Sequence, residues 1–300
     1  MEHQIPLNPS GIAYDAEHDA EQEHGTHEVA TDLAYKRLLA VNVVYYGQPE
    51  APDRKWVLID AGLPRTANVI SGAAIDRFGY GSRPAAIILT HAHFDHAGGV
   101  LDLIEKWDVP VYAHELEHPY LNGEAAYSPP DPNVGNGFLP RLAPFYPRGP
   151  IKIGEHLNPL PADGSVPEMP GWKWIHTPGH TPGHISLWRE SDKVIIAGDA
   201  FITTNQESLL AVLAQNPALH GPPMYFTTDW VSARNSVEQL AWYEPEIVIA
   251  GHGPAMRGAE MRTALHTLAD NFDAMAVPKK GIYVGYPANA ENGKAYVKRR

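Results

Sequence analysis

Thr90-His91-Ala92-His93-Phe94-Asp95-His96-Ala97-Gly98-Gly99 follows the apolar run Ala85-Ala86-Ile87-Ile88-Leu89 and leads into the amphipathic stretch Val100 to Trp107. The pattern predicts a buried strand, a ligand-rich turn and a helix. In an extended segment alternate side chains share a face, so His91 and His93 point the same way and can grip one ion from a single side. Asp95 and His96 fall in the turn, where the first N–H groups of the helix are free and Gly98-Gly99 lets the backbone pass close to whatever is held. Three imidazoles and a carboxylate within six residues exceed what one tetrahedral ion needs, so two adjacent ions fit better. The competing reading, a satisfied polar turn on a core strand, is disfavoured because ionisable groups seldom cluster unpaired beside a buried strand.

Three later stretches share one design, a strand followed at once by a small-residue turn carrying one side chain able to bind metal. They are Thr177-Pro178-Gly179-His180, Ile195-Ile196-Ala197-Gly198-Asp199 and Ile247-Val248-Ile249-Ala250-Gly251-His252. A strand end is a rigid mount, and glycine beside the ligand permits close approach to an ion.

The composition narrows the classes. Three hundred residues suit one large α/β domain with insertions. A formal net charge of −12, without a Lys/Arg block, argues against nucleic acid or an anionic membrane as partner. The absence of cysteine leaves only N and O ligands for a metal and no thiol nucleophile. The N-terminus lacks a basic and apolar leader, and no window approaches the roughly 18 apolar residues of a membrane span, so the expectation is a cytoplasmic protein.

Along the chain, residues 1–31 are polar and acidic and are expected to form an N-terminal surface arm, with His18, His24 and His27 scattered in it. The catalytic domain is expected over 32–276, with a tail over 277–300. The β-rich runs Leu38 to Tyr46 and Lys55 to Asp60 predict a hairpin. Asp60-Ala61-Gly62 closes its second strand, and Thr66 can cap a helix to Phe78. Strands follow at Val109 to Ala113, Trp172 to Ile175, Ile185 to Trp188, Lys193 to Ala197 and Glu246 to Ala250. Helices are expected over Trp230 to Tyr243, capped by Asp229, and over Ala259 to Ala274. Two Pro- and Gly-rich insertions, 119–150 and 201–228, break this rhythm. Their aromatic residues predict an ordered lid or pocket wall, with Phe138, Phe145, Tyr146, Phe201, Met224, Tyr225 and Phe226 as candidate substrate contacts. A homodimer contact or a packed surface loop is the alternative use of those aromatics.

The ordered set His91, His93, Asp95, His96, His180, Asp199 and His252 resembles the metallo-β-lactamase-fold superfamily in its dinuclear hydrolase branch, over roughly Leu38 to Arg262. That resemblance implies an α/β fold, an αββα sandwich with the metals at one edge. It implies that His91, His93 and His180 hold a first ion, that Asp95, His96 and His252 hold a second, and that Asp199 bridges them with a water or hydroxide in between. Two divalent cations are implied, with zinc the default for such N/O ligands and manganese, iron or cobalt compatible. Two cations sharing a water lower its pKa toward neutrality and polarise a substrate oxygen. Asp95 is the candidate catalytic proton donor.

Departures from particular branches are informative. Asp199 and the lack of cysteine disfavour penicillin hydrolysis, and His93 stands where flavo-diiron proteins carry Glu. Thr177-Pro178-Gly179-His180-Thr181-Pro182-Gly183-His184 is similar to glyoxalase II, but the short stretch after His252 leaves little room for that family's helical glutathione-binding domain. Acyl-homoserine lactonases share the histidine motif, yet Ala200-Phe201-Ile202 supplies no tyrosine after Asp199. His114-Glu115-Leu116-Glu117-His118 matches the H-E-x-x-H of metalloproteases, but Pro119 and the missing third ligand favour the start of a surface helix. His184 is expected behind the ligands rather than among them. The expected activity is hydrolysis, by a metal-bridging hydroxide, of a small-molecule carboxylic ester, lactone or thioester with an apolar portion. A phosphodiesterase or phosphotriesterase on the same site, or a mononuclear-iron sulfur dioxygenase, is the alternative.

Overall fold

Val43 and Tyr45 point to one face of a sheet and Val44 to the other, and all three are buried. This double burial explains the near-continuous apolar strands of the sequence, since each sheet is covered on both sides. The computed structural model describes residues 5–6, 25–134, 139–204 and 217–288. Its first sheet runs in spatial order β1 (His27–Ala30), β2 (Leu33–Leu38), β3 (Val41–Tyr46), β4 (Val57–Ile59), β5 (Ala86–Ile88), β6 (Val111–Ala113) and β7 (Leu157–Pro159). Pairing is antiparallel up to β4 and parallel from β4 to β7. The second sheet is ordered β12 (Met256–Arg257), β11 (Ile247–Ala250), β10 (Val194–Gly198), β9 (Ile185–Arg189) and β8 (Trp172–His176).

The inner faces meet in one apolar layer. Val44, Val57, Ile59 and Ile88 pack there with Ile185, Leu187, Val194 and Ile196. The alternate residues face outward to helices: Tyr45, Leu58 and Ile87 meet α1 (Ala67–Phe78) and α2 (Val100–Trp107). Ile195 and Val248 meet α3 (Trp230–Trp242) and α4 (Gly258–Asp270). The result is the αββα sandwich. Arg189 pins the two sheets at one side, pairing with both Asp32 and Asp192 and lying 4.8 Å over the Trp172 ring.

Several local expectations shift. Leu38 to Tyr46 is not one strand, because Leu39 turns through a positive φ of 63° and closes a hairpin between β2 and β3. The acidic N-terminal stretch ends earlier than expected: His27–Ala30 pairs as an edge strand, with the buried His27 ring stacked 4.9 Å from Tyr35. Thr66 makes no side-chain cap and donates instead to the Leu63 carbonyl at 2.7 Å, whereas Asp229 does accept from the Val231 and Ser232 amides. The expected last helix breaks at Asn271 and resumes as Phe272–Met275. The tail runs across both insertions: the Asp131 carboxylate accepts the Ile282 amide, Tyr283 donates to the Pro129 carbonyl, and the Ala288 amide donates to the Thr228 carbonyl. No helix among the described residues is long and apolar enough to cross a membrane.

The outer helical layer has one aromatic keystone. Trp56 is 1% exposed, stacks on Phe78 at 4.4 Å and meets Trp107 edge-on at 5.6 Å. Trp56→Ala is expected to destabilise the fold by about 3–5 kcal/mol, the usual cost of such a cavity, as read by urea unfolding of the metal-free chain.

Candidate metal centre

The strand that feeds the opening motif stops at Ile88, so His91 and His93 lie in irregular backbone rather than on a strand end. The short helix Phe94–Ala97 then carries Asp95 and His96. The turn between β8 and β9 brings His180, the turn directly after β10 brings Asp199, and the one after β11 brings His252. All seven side chains are buried and meet at one edge of the sandwich. Three groups have ligand atoms mutually within 4.8 Å: His91, His93 and His180; Asp95, His96 and His252; and His91, His96 and Asp199.

Outer hydrogen bonds decide where each imidazole proton sits. His96 Nδ1–H donates to Asp60 at 2.8 Å, and His252 Nδ1–H donates to the Ala40 carbonyl at 2.5 Å. Thr90 donates its hydroxyl proton to Asp60, so its oxygen accepts from His91 Nδ1–H at 3.1 Å. Thr227 likewise spends its proton on the Pro223 carbonyl and accepts from His180 Nδ1–H at 3.2 Å. Four Nε2 lone pairs are thereby turned inward.

They face one another and Asp199. His96 Nε2 and His252 Nε2 lie 3.5 Å apart, and His93 Nδ1 is 2.9 Å from His180 Nε2. The Asp199 oxygens lie 3.5, 3.4 and 3.2 Å from the Nε2 atoms of His96, His180 and His252, and Asp95 lies 3.6 Å from His252. His91 Nε2 and Asp199 Oδ1 are buried without a hydrogen-bond partner. Acceptors that converge this closely on a buried carboxylate are costly unless a cation, a metal ion or a proton, sits among them. The spacings also bracket the roughly 3.3 Å edge of a tetrahedron built on about 2.0–2.1 Å bonds. The backbone makes room for this: a Cβ on Gly251 would fall 2.2 Å from Asp199 Oδ1 and 2.7 Å from His96 Cε1. The residues therefore fit metal ions.

The electrostatics divide the rings into those held neutral and those that Asp199 draws toward a proton, which a metal ion would displace. Burial, then the neighbouring rings, pushes His91 and His93 well below the usual histidine range, and burial takes His180 down to about 4. Burial also opposes charge on His96 and His252, but Asp199 outweighs it and raises both. Burial opposes charge on Asp199 as well, and His252 and His96 override it, holding the carboxyl well below the usual range. Burial raises Asp95.

Other expected residues part company. His184 lies outside the three groups; the Asp199 amide donates to its Nε2 at 2.8 Å, and its Nδ1–H faces the Thr177 carbonyl at 3.0 Å. Phe226 lies 4.6 Å from the His93 ring and, with Tyr225, Tyr146, Met224 and Phe94, forms an aromatic cluster over the centre. Phe201 is not a pocket residue: it is fully buried in the core cluster that packs against α3 and α4. Phe145 is 84% exposed, because Tyr146 rather than Phe145 turns inward after the short helical turn Ala143–Phe145. Phe138 lies outside the described residues.

The sequence reading gave no role to Asp60, Thr90, Ala40 or Thr227, which orient the ligands. Asp60-Ala61-Gly62 at a strand end repeats the design that flagged Asp199 and was the available signal. His114 and His118 are not ligands: His114 stacks on His176 at 4.3 Å and His118 bonds the Ala113 carbonyl. Glu117 between them is fully buried, unlike the surface helix start expected.

Comparison with known proteins decides the family. The family model described as the metallo-beta-lactamase superfamily matches residues 37–252. The chain belongs to that superfamily. It is a metal-binding hydrolase of the metallo-β-lactamase fold, as the resemblance implied. It is 46% identical over 255 residues to the probable metallo-hydrolase YflN of Bacillus subtilis, covering 85% of this chain and 94% of that one. Hydroxyacylglutathione hydrolase of Xylella fastidiosa is 34% identical over 141 residues, 46% of this chain and 38% of that one. The crystal structure of TTHA1623 in a di-iron-bound form superposes with a TM-score of 0.50 at 25% identity, covering 78% of this chain and 95% of that one.

The buried His184 gives a pH test. Burial, reinforced by His180, takes it down to about 3, below the 6.5 of a free imidazole. As pH falls below 6.5 the unfolded chain takes up that proton first, so this stabilisation is full above 6.5 and is lost progressively toward 3. His184→Gln can offer the same acceptor to Asp199 and donor to Thr177 without titrating. In the metal-free protein, the urea midpoint of the wild type is expected to fall more steeply than that of the variant between about pH 7.5 and 4.5; parallel profiles would refute the assignment.

Proposed function

We propose that the chain is a dinuclear hydrolase of carboxylic esters, lactones or thioesters with an apolar portion. Bound at these ligands, two divalent cations supply a water of lowered pKa and a Lewis-acidic contact for the substrate carbonyl oxygen. The observation that carries the substrate class is the aromatic face of Phe226 laid against His93, backed by Phe94 and Tyr146. An apolar wall beside a metal ligand favours an acyl or alkyl chain over a phosphodiester backbone. The partial likeness to a hydroxyacylglutathione hydrolase supports a thioester as one member of the class.

The protein's own residues divide the work. Asp199 faces ligands of both groups and offsets cation charge. Asp95 is the most exposed of the seven at 8%, so among them it is best placed to meet the leaving atom and deliver a proton to it. Phe226 and Tyr146 hold the apolar portion and keep water from it.

A panel of straight-chain acyl esters, lactones of increasing length, a thioester and a phosphodiester tests this reading on the metal-loaded protein. Activity is expected to rise with acyl length and to vanish in Asp199→Ala. Phe226→Ala should lower kcat/KM about tenfold or more for the longest acyl group while leaving the acetyl ester near its wild-type value. Asp95→Asn should lower kcat with both metals still bound. Turnover of the phosphodiester alone would overturn the substrate class.

A further inference from the structure

The His114-Glu115-Leu116-Glu117-His118 stretch has an apparent motif whose histidines do nothing at the metal centre, yet its second glutamate is 0% exposed. A carboxylate taken wholly out of water costs several kcal/mol unless its lone pairs are matched. Those of Glu117 are matched by four donors, none of them a cationic side chain. Its Oε1 accepts from the Thr181 hydroxyl at 2.8 Å and from the Gly183 amide at 2.7 Å. Its Oε2 accepts from the Ala92 amide at 3.0 Å and from the Tyr127 hydroxyl.

These donors come from chosen places in the chain. Ala92 lies between His91 and His93, and Thr181 directly follows His180. One carboxylate therefore grips the two backbone segments that supply the whole first ligand group. Tyr127, from the first insertion, closes the grip: its ring lies 4.5 Å from His93 and 3.8 Å from Tyr120, and the Ala92 amide also reaches its hydroxyl at 3.0 Å. The packing leaves no slack, because a Cβ on Gly183 would fall 2.8 Å from both the Glu117 backbone nitrogen and its Cγ.

The second group, Asp95, His96 and His252, is braced by other residues, of which Asp60 also reaches His91 through Thr90. Asp60 holds His96, and the Ala40 carbonyl holds His252. The Asn42 side chain binds the Ala250 and Gly253 carbonyls on either side of His252. None of these touches Glu117. We propose that Glu117 is a positioning residue that sets the His91, His93 and His180 half of the centre independently of the other half. The proposal rests on the metal-binding reading but not on the substrate class, so it is tested by metal affinity rather than turnover.

Each half is isolated in the full-length chain by removing one ligand of the other, and Zn2+ affinity is then measured by competition with a chromophoric chelator. With His252→Ala as background, Glu117→Gln is expected to weaken Zn2+ binding about 10–100-fold, the usual cost of disturbing the residues behind a ligand. The amide turns an NH2 toward two of the four donors. With His180→Ala as background, the same substitution should change affinity by less than about threefold. Equal weakening in both backgrounds, as a general loss of fold would give, overturns the proposal, as does no weakening in the first. If Glu117→Gln does not fold, Tyr127→Phe and Thr181→Val each remove one donor and should weaken binding up to about tenfold in the His252→Ala background alone. Equal effects of these variants in both backgrounds overturn it as well.

Discussion

The Nε2 atoms of His96 and His252 lie 3.5 Å apart with their Nδ1 protons already committed to Asp60 and to the Ala40 carbonyl. Facing lone pairs, with Asp199 against both, constitute a charge problem that the fold builds deliberately and that a cation resolves. Much of the architecture follows from holding this arrangement still. Two sheets, each buried on both faces, end their strands at one edge, so ligands from distant parts of the chain are mounted on backbone that cannot relax away. Outer partners then fix each ring. The apolar core thus supplies rigidity, and the layer of Thr, Asp and carbonyl groups behind the ligands supplies orientation.

The sequence revealed the seven residues that the structure brings together because metal chemistry restricts residue type and spacing so strongly. Glycine-flanked His180, Asp199 and His252 after apolar runs were legible for the same reason. Alternation of buried strands, by contrast, was invisible as periodicity: Val43, Val44 and Tyr45 are all apolar, so only the structure shows which faces the helices and which the other sheet. The turn at Leu39 was missed because nothing in Leu38 to Tyr46 signals a break, although the backbone there adopts a left-handed conformation. Aromatic residues in the insertions were correctly noted as unusual but could not be sorted by type. Phe145 and Tyr146 are neighbours, yet one is turned to solvent and the other toward Phe94.

The residues that orient ligands were the hardest to read, since any Asp, Thr or Glu satisfies many roles. Glu117 shows how a local pattern misleads. H-E-x-x-H draws attention to its histidines and to Glu115, whereas the chemically committed group is the other glutamate, one residue before the second histidine. A helix that presents both histidines on one face is what gives that motif meaning. Here His118 is instead the first residue of a four-residue helix that continues through Pro119, and the preceding turn drives Glu117 inward.

These placements give the centre a direction. Phe226 and Tyr127 both lie against His93, in the first ligand group, whereas Asp95, the most exposed of the ligands, belongs to the second. On the proposed reading, a substrate whose apolar acyl portion rests on the aromatic side would present its carbonyl between the two groups and its leaving atom toward Asp95. Glu117 braces only the first half, whereas Asp60 reaches both, directly at His96 and through Thr90 at His91, so on that reading the acyl side has a support that the leaving side does not share. The tail joins the same side of the molecule: Asp131 and Pro129 of the first insertion and Thr228 beyond Phe226 are tied together by residues 282–288. The aromatic wall is thus fastened from behind by a segment whose composition, rich in Gly, Pro and Lys, carries no periodic signal of its own. Its order comes from these hydrogen bonds to the two insertions together with the packing of Val277 and Val284 on the helical core and the burial of Tyr283.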